Sequence, residues 1–173
     1  MSKTHYDKIS KKYQISLLPL CCNKIQGIRR HVSMNIRFQY DCSNVDWDSV
    51  SSILESVQMA HFEGDVHKTA FENSCTVVFV YEDDKLIGFG RAISDYAYQA
   101  AIYDVAVSKA YQGKGLGKMI VNKIIKSIPQ CNFILYVSPG KEGFYESLNF
   151  KRMKTGMALF READKMQIKG FTE

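Results

Sequence analysis

The feature that most constrains this chain is a glycine-rich turn between a buried strand and an amphipathic helix. Small and β-branched residues from Ala101 to Val107 predict a strand inside a sheet. A short polar turn follows, and then the run Gln112-Gly-Lys-Gly-Leu-Gly-Lys118. From Leu116 onwards the apolar residues recur at helical spacing: Leu116, Met119, Ile120, Ile124, Ile125 and Ile128. Such a turn leaves backbone N–H groups unpaired at the positive end of a helix dipole, so it predicts an anion site, most simply for phosphate.

The spacing of the glycines excludes two common nucleotide motifs. A dinucleotide fingerprint starting at Gly113 needs a third glycine where Lys118 stands. A P-loop needs Ser or Thr after its lysine, but Met119 follows Lys118. What remains is Gln-x-x-Gly-x-Gly directly after a Val-x-Val strand end. An ordinary strand–turn–helix, in which the glycines serve only the turn, is the alternative interpretation.

This motif resembles the Arg/Gln-x-x-Gly-x-Gly/Ala signature of the GNAT superfamily of acyl-CoA-dependent N-acyltransferases. The resemblance implies that the turn binds the CoA pyrophosphate and that the preceding strand hydrogen-bonds the pantetheine arm through its backbone. Lys114 and Lys118 would then add positive charge near the phosphates, with solvated lysines as the alternative. Ser138 stands where the family often has an asparagine that bonds the pantetheine, although before Pro139 it also predicts a helix N-cap.

A second stretch, Gly143-Phe-Tyr-Glu-Ser-Leu-Asn-Phe150, resembles the family's Phe-Tyr-x-x-x-Gly-Phe. Tyr145 occupies the position of the tyrosine that protonates the departing CoA thiolate; a packed aromatic residue is the alternative. Asn149 replaces the glycine at a helix end that needs a positive φ, and asparagine is the next best residue there. Together the two motifs imply acetyl-CoA as co-substrate, with these contacts: Val105, Ala106, Val107, Gln112, Gly113, Lys114, Gly115, Leu116, Gly117, Lys118, Ser138 and Tyr145.

The implied reaction is direct attack of a primary amine on the acetyl thioester. A backbone N–H of the strand over 105–107 would hold the oxyanion. Because an alkylamine is mostly protonated at neutral pH, a base or a water chain must first remove a proton. Some relatives place Glu or His on this strand where the chain has Ala101 or Tyr103, neither of which serves well.

Asp104 is the nearest carboxylate and the candidate base. Strand alternation puts it on the face opposite Tyr103, unless a bulge re-aims it. The alternatives are no dedicated base, or a water relay that ends on Asp95, Glu142 or Glu146. His61 and His67 are interpreted as surface helix residues and receive no catalytic role.

The remaining pattern predicts an α/β fold, and the resemblance adds a GNAT-like mixed sheet, flanked by helices, with splayed central strands. Glycines at 88 and 90 within one strand predict a bulge or the close approach of another backbone. The expected strands are 35–40, 75–81, 85–93, 101–107, 132–137 and a strand or hairpin over 150–160. The expected helices run from an Asp46 cap through His61, over 65–72, from 116 through 128 and from Ser138 to Asn149.

Composition places the basic charge at one end of the chain. The net charge is +5, yet residues 1–33 contain seven Lys or Arg and one acid, whereas the remainder contains 16 and 17. This distribution argues against a nucleic-acid-binding core. We expect a basic extension over 1–33, one acetyltransferase domain over 34–161 and a polar tail over 162–173. Organelle targeting by residues 1–33 is the alternative to a simple extension of a cytoplasmic protein.

Five cysteines without a C-x-x-C pair predict neither a disulfide framework nor a zinc site, and no metal is expected. No apolar run is long enough for a membrane span. The expected partner is a small primary amine, an (aryl)alkylamine or a polyamine, as in the arylalkylamine-type members of bacteria and plastids; homodimerisation is left open. An aromatic cleft would suit such an amine, although the same residues could pack the sheet: Tyr81, Tyr96, Tyr98, Tyr103 and Tyr136. The rival functions are protein N-terminal or lysine acetylation, and a CoA-binding sensor without catalysis.

Overall fold

The computed structural model describes residues 35–173, so the predicted basic extension lies outside the described residues. Five strands form one sheet in the order β1-β2-β3-β4-β5, with the first four antiparallel to their neighbours. Helix α3 joins β4 to β5, which is a crossover connection and makes the sheet mixed. The elements are β1 (Ile36–Gln39), α1 (Trp47–Ser56), α2 (Gly64–Glu72), β2 (Thr76–Glu82), β3 (Lys85–Ser94), β4 (Gln99–Val107), a 3₁₀ turn (Lys109–Tyr111), α3 (Leu116–Ser127), β5 (Asn132–Ile134), α4 (Glu142–Glu146) and α5 (Ala163–Ile168).

The chain divides into two compact units, one ending at Phe133 and one beginning at Ile134. The first unit holds β1 to β4 and α1 to α3, and the second holds α4 and α5. The predicted domain limits stay a prediction. No helix within residues 35–173 is both long and apolar enough to cross a bilayer.

One face of the sheet packs on α1 and α2 through aromatic side chains. Phe71 of α2 stacks on Phe79 of β2 at 5.3 Å between ring centroids and meets Phe89 of β3 edge-on at 5.7 Å. All three rings are fully buried. The predicted Asp46 cap of α1 is confirmed, because its carboxylate accepts hydrogen bonds from the backbone N–H groups of Asp48 and Ser49.

Helix α3 packs on the opposite face, over the two glycines of β3. A Cβ atom at Gly90 would lie 2.7 Å from Ile120 Cγ2, and one at Gly88 would lie 3.0 Å from the Ala106 carbonyl oxygen. The pairing of β3 with β4 also changes register between Phe89 and Arg91. Both the close approach and the bulge predicted around these glycines are therefore confirmed.

Helix α1 ends at Ser56, five residues before the predicted His61. Gln58 has φ +63°, its N–H bonds the Glu55 carbonyl, and the Met59 N–H bonds the Leu54 carbonyl at 3.0 Å. These two bonds form a Schellman-type helix end. The prediction missed it because glutamine is not a residue that favours this conformation.

The predictions for the C-terminal part are less accurate. Strand β5 stops at Ile134 instead of residue 137, and no strand forms over 150–160, where Met157 and Leu159 are fully exposed and bury nothing. Helix α4 starts at Glu142, and Ser138 instead forms a turn whose carbonyl accepts the Lys141 N–H at 3.0 Å. The predicted polar tail contains helix α5.

Candidate active site

The predicted phosphate turn joins β4 to α3 in the first unit. Gly113 and Gly115 have φ +75° and +83°, the left-handed region that other residues rarely adopt. A Cβ atom at either position would contact nothing within 4 Å. Backbone conformation therefore favours glycine at both positions, and the surface above them is open to a ligand.

Backbone N–H groups at the start of α3 are free of intrahelical partners. The N-cap residue is Gly115, which has no side chain to cap the helix, and the first intrahelical bond runs from the Met119 N–H to the Gly115 carbonyl at 3.1 Å. The N–H groups of Leu116, Gly117 and Lys118 precede that bond. The Gln112 side chain donates to the Val107 carbonyl at 2.9 Å and so ties the turn to the end of β4. This arrangement has the geometry of an anion cradle.

Cationic side chains surround the same turn. The Lys114 Nζ lies 4.9 Å from the centroid of the Tyr111 ring, and the Lys85 Nζ lies 5.8 Å from it. The Tyr111 hydroxyl donates a short hydrogen bond to Glu82, and this bond raises the pKa of the phenol. Lys118 is exposed on the first turn of α3. The positive charge near the turn suits a phosphate ligand.

Strand β4 is bulged at Asp104. Arg91 of β3 pairs with Tyr103, and Phe89 pairs with Ala106. Between these two pairs β4 therefore has one residue more than β3. Asp104 takes φ +52° at this extra residue. The simple alternation that placed Asp104 opposite Tyr103 is therefore wrong, and the bulge that was its alternative is confirmed. It turns the carboxylate to the face that α1 and α2 cover.

The Asp104 carboxylate is engaged by an arginine. Arg91 Nε donates to Asp104 Oδ2 at 2.5 Å, and the two side chains are 13% and 25% exposed. Arg91 Nη1 also donates to Ser74 Oγ at 3.2 Å. The Arg91 guanidinium carbon lies 5.2 Å from the Tyr103 ring centroid and 5.7 Å from that of Phe71. Sequence reasoning missed Arg91, although a charged residue inside an apolar strand was a usable signal.

His67 is buried beside this pair and is not the surface residue predicted. It is 4% exposed, and its Nε2 accepts the Phe62 N–H at 3.0 Å. Burial lowers the pKa of His67; the Arg91 charge acts in the same direction and the Asp104 charge in the opposite one. Its i, i+4 spacing to Phe71 was the available signal, since both lie on one face of α2. Because its Nε2 lone pair is occupied, His67 is poorly placed to accept a proton from a substrate.

Tyr145 lies in the second unit, on helix α4. Its ring is half-buried against Phe144 and Phe150, with centroids 4.9 Å and 5.7 Å away. Burial raises the pKa of the Tyr145 phenol, so the proton stays on the oxygen at neutral pH. Asn149 has φ +69°, as predicted, and the Asn149 and Phe150 N–H groups close a Schellman motif on the Glu146 and Tyr145 carbonyls.

Other predicted site residues have local structural roles. The Asp95 carboxylate accepts three backbone N–H groups of the β3–β4 turn, and these bonds lower its pKa. Glu146 pairs with Arg152 at 3.1 Å. Backbone hydrogen bonds lower the pKa of Glu142. Ser138 is exposed and does not cap α4.

The five tyrosines do not share one environment. Tyr81 is buried in the core under α1, and Tyr96 and Tyr98 are exposed on the β3–β4 turn. Tyr136 packs edge-on against Phe160 and Phe171 in the second unit. Of the five, Tyr103 is the one next to Asp104. The tyrosines therefore pack separate parts of the molecule and do not line one aromatic cleft.

A comparison with protein-family models matches residues 40–150 to the model described as Acetyltransferase (GNAT) family. This chain belongs to the GNAT acetyltransferase family. The family accounts for the strand, the glycine turn and α3, and it fixes acetyl-CoA as the co-substrate. The GNAT family also confirms the predicted enzyme class, an acyltransferase.

Three relatives illustrate the range of the similarity. The "Uncharacterized N-acetyltransferase ycf52-like" of Prochlorococcus marinus is 32% identical over 126 residues, covering 67% of this GNAT chain and 70% of its own. Two plant proteins are 39% identical over 79 residues, or 44% of this chain: "GCN5-related N-acetyltransferase 2, chloroplastic" of Arabidopsis thaliana and "Histone acetyltransferase TAP1" of Glycine max. The match spans 31% and 34% of those two proteins.

Solved structures share the fold. A crystal structure of a candidate acetyltransferase from Deinococcus radiodurans R1 superposes with a TM-score of 0.67 and 22% identity, covering 79% of this chain and 95% of that one. An acetyltransferase of the GNAT family from Streptococcus pneumoniae gives 0.62 and 19%, covering 73% and 98%. The predicted mixed α/β fold is therefore confirmed.

Proposed function

We propose that this GNAT protein transfers the acetyl group of acetyl-CoA to the primary amine of a small (aryl)alkylamine or polyamine. Both substrates are bound together, and the amine attacks the thioester directly. A C–N bond forms and the C–S bond breaks. The nitrogen loses one proton before attack and a second as the amide forms, and one proton reaches the CoA thiolate, so the reaction releases one proton overall. No covalent acyl-enzyme is needed.

The observation that supports an amine acceptor is the carboxylate that the β4 bulge presents. Asp104 directly precedes the predicted pantetheine strand 105–107 and is 25% exposed. Its Oδ2 and the Tyr103 ring both contact the Arg91 guanidinium. A partly exposed carboxylate attracts an ammonium group and positions its nitrogen. Arg91 already engages Oδ2, so Oδ1 is the oxygen we assign to the substrate.

We assign Asp104 as the base, Tyr145 as the acid and a backbone N–H of Val105–Val107 as the oxyanion donor. The raised pKa of Tyr145 supports the acid, since the phenol is fully protonated when the thiolate leaves. A water relay that ends on Asp95 is less well supported, because Asp95 Oδ1 accepts three backbone N–H groups of its own turn.

The test is release of free CoA thiol from acetyl-CoA in the presence of an amine panel: a diamine, a polyamine, an arylethylamine and a neutral alcohol as control. We expect thiol release with at least one amine and none with the alcohol. Tyr145→Phe should lower kcat by about 10²- to 10⁴-fold with little change in the KM for acetyl-CoA. Full turnover by this variant would remove the assignment of the acid.

Protein acetylation is the second candidate, because one relative is named a histone acetyltransferase. It predicts thiol release with lysine-containing peptides or peptides with a free N-terminus, and little with the free amines. The same assay with N-terminally blocked and unblocked peptides separates lysine from N-terminal acceptors. Thiol release with neither class of acceptor, despite tight acetyl-CoA binding, would favour the sensor function.

The compartment is also a proposal. The plant relative named chloroplastic favours organelle targeting over a cytoplasmic location. A fluorescent protein fused after residues 1–33 should then enter plastids, whereas the same fusion without residues 1–33 should not. Cytoplasmic fluorescence from both fusions would support the cytoplasmic alternative.

A further inference from the structure

Arg91 is an unusual residue for its place in the sheet. It lies on β3 between Gly90 and Ala92, both buried, and its own side chain is only 13% exposed. A guanidinium in such a site destabilises the fold unless its charge and its donors are matched. Its contacts should therefore indicate what it is there to hold.

The guanidinium connects three elements. Nε donates to Asp104 on β4 at 2.5 Å, and Nη1 donates to Ser74, just after α2, at 3.2 Å. The rings of Tyr103 and Phe71 lie within 6 Å of the guanidinium carbon. Only the planar fork of arginine directs two donors to two such partners at once; a lysine ammonium can keep the charge but not this geometry.

The partner that Arg91 holds is itself strained. Asp104 is a non-glycine residue at φ +52°, in the left-handed region that L-residues adopt only at a free-energy cost. It is the extra residue of the bulge, so its conformation sets where the next N–H groups, those of Val105 and Ala106, point. A strained conformation of this kind persists only when its surroundings hold it.

We propose that Arg91 is a positioning residue for acetyl transfer. By binding the Asp104 carboxylate it fixes the bulge of β4 and the direction of the backbone N–H groups that follow the bulge. Ser74 anchors the other side of the fork to the end of α2. Arg91 touches neither acetyl-CoA nor the amine in this scheme. The inference rests on the proposed function in one respect, namely that transfer takes place at this part of β4.

The kinetic test compares Arg91→Lys with Arg37→Lys. Arg37 is a matched control because it also lies on a strand, with its guanidinium 4.3 Å from the Tyr81 ring centroid. We expect Arg91→Lys to lower kcat by about 10- to 100-fold, since small displacements of a transition-state donor have effects of this size. The KM and Kd for acetyl-CoA should stay within about three-fold of wild type, because the phosphate turn is intact. Arg37→Lys should leave all three constants unchanged.

A role limited to charge gives a different result. Arg91→Lys keeps the positive charge, so simple neutralisation of Asp104 predicts a kcat close to that of wild type, and that outcome overturns the proposal. Should Arg91→Lys fail to fold, Ser74→Ala removes one contact and leaves the ion pair. It should lower kcat by a smaller factor at an unchanged KM for acetyl-CoA, and a wild-type kcat in that variant overturns the proposal too.

Hydrogen exchange tests, without any amine substrate, whether Arg91 holds the bulge of β4 in place. Amides of the peptide spanning 99–107 should exchange faster in Arg91→Lys than in wild type, and at the wild-type rate in Arg37→Lys. Unchanged exchange in Arg91→Lys overturns the proposal, whatever the turnover. If no amine is acetylated by the wild-type protein, the proposed function fails, while this measurement still decides whether Arg91 fixes the bulge of β4.

Discussion

At Asp104, one extra residue in a strand changes the face of the sheet on which a carboxylate lies. In a regular strand Asp104 would point towards α3, away from Tyr103. The bulge turns it to the other face, where Arg91 binds it. The same bulge changes the direction of the backbone just before the predicted pantetheine strand. A single residue thus couples the candidate base to the backbone that would hold the thioester.

His67 gives a prediction at the same scale. Its pKa is lowered by burial, with smaller contributions from Arg91 and His61 in the same direction and from Asp104 in the opposite direction. The unfolded chain, with a histidine pKa of about 6.5, therefore takes up this proton at a higher pH than the folded protein. The stability contributed by neutral His67 is fully present above the unfolded pKa of about 6.5. It is lost as the pH falls from that value towards the lower pKa of the folded protein.

Urea unfolding at several pH values between about 7.5 and about 5 measures this effect, in a range above the titration of most carboxylates. We expect His67→Gln to weaken the pH dependence, because glutamine can still accept the Phe62 N–H but does not titrate. His61→Gln is the control, since His61 is exposed. Equal pH dependence in wild type and His67→Gln would contradict the assignment.

At the scale of elements, the contact between α3 and the sheet depends on the absence of side chains at two positions of β3. Ile120 and Ile124 of α3 occupy the space above Gly90. This close packing fixes the position of α3 on the strands, and with it the position of the α3 N-terminus at the end of the glycine turn. The position of the predicted anion cradle therefore depends on a glycine far from it along the chain.

Gly90→Ala should destabilise the fold by about 1–3 kcal/mol, the range expected for overpacking a filled core. Its added methyl would lie 2.7 Å from Ile120 and 3.2 Å from Val105. Gly143→Ala is the control, because the added methyl on α4 has no neighbour within 4 Å and alanine favours helix. Chemical denaturation of both variants measures the difference, and equal stability would contradict the packing account.

At the scale of the whole molecule, binding of acetyl-CoA should add to the stability of the folded protein. The phosphate turn lies in the first unit, and Tyr145 lies in the second. Binding to the folded state alone stabilises it by RT ln(1 + [L]/Kd), about 2.7 kcal/mol at a hundred-fold excess over Kd. Acetyl-CoA should therefore raise the unfolding temperature in a concentration-dependent manner.

Gly115→Val tests whether that stabilisation depends on the phosphate turn. Valine is strongly disfavoured at φ +83°, so the turn should lose its conformation and most of the thermal shift with acetyl-CoA. Gly156→Ala, outside the turn and with no contact closer than 3.7 Å, should keep the full shift. A wild-type shift in Gly115→Val would place the cofactor elsewhere.

Local patterns in the sequence determined the parts of this protein that depend on local backbone conformation. The glycine spacing after a Val-x-Val strand predicted the turn before α3, because positive φ at 113 and 115 favours glycine. Together with the Tyr145 motif it indicated the family. Asn149 at a helix end was predictable for the same reason. The alternation and helical spacing of apolar residues likewise gave most of the first unit.

The tertiary structure decided the features that depend on pairing between distant residues. The bulge at Asp104 is a matter of register between β3 and β4, and its partner Arg91 lies 13 residues earlier in the chain. The burial of His67 and the turn at Ser138 likewise depend on neighbours and backbone torsions that no local motif specifies. The sequence by itself thus determined the glycine turn before α3, because its backbone conformation is local. Only the packing of strands and helices decided that Arg91 and Asp104 meet at the bulge of β4.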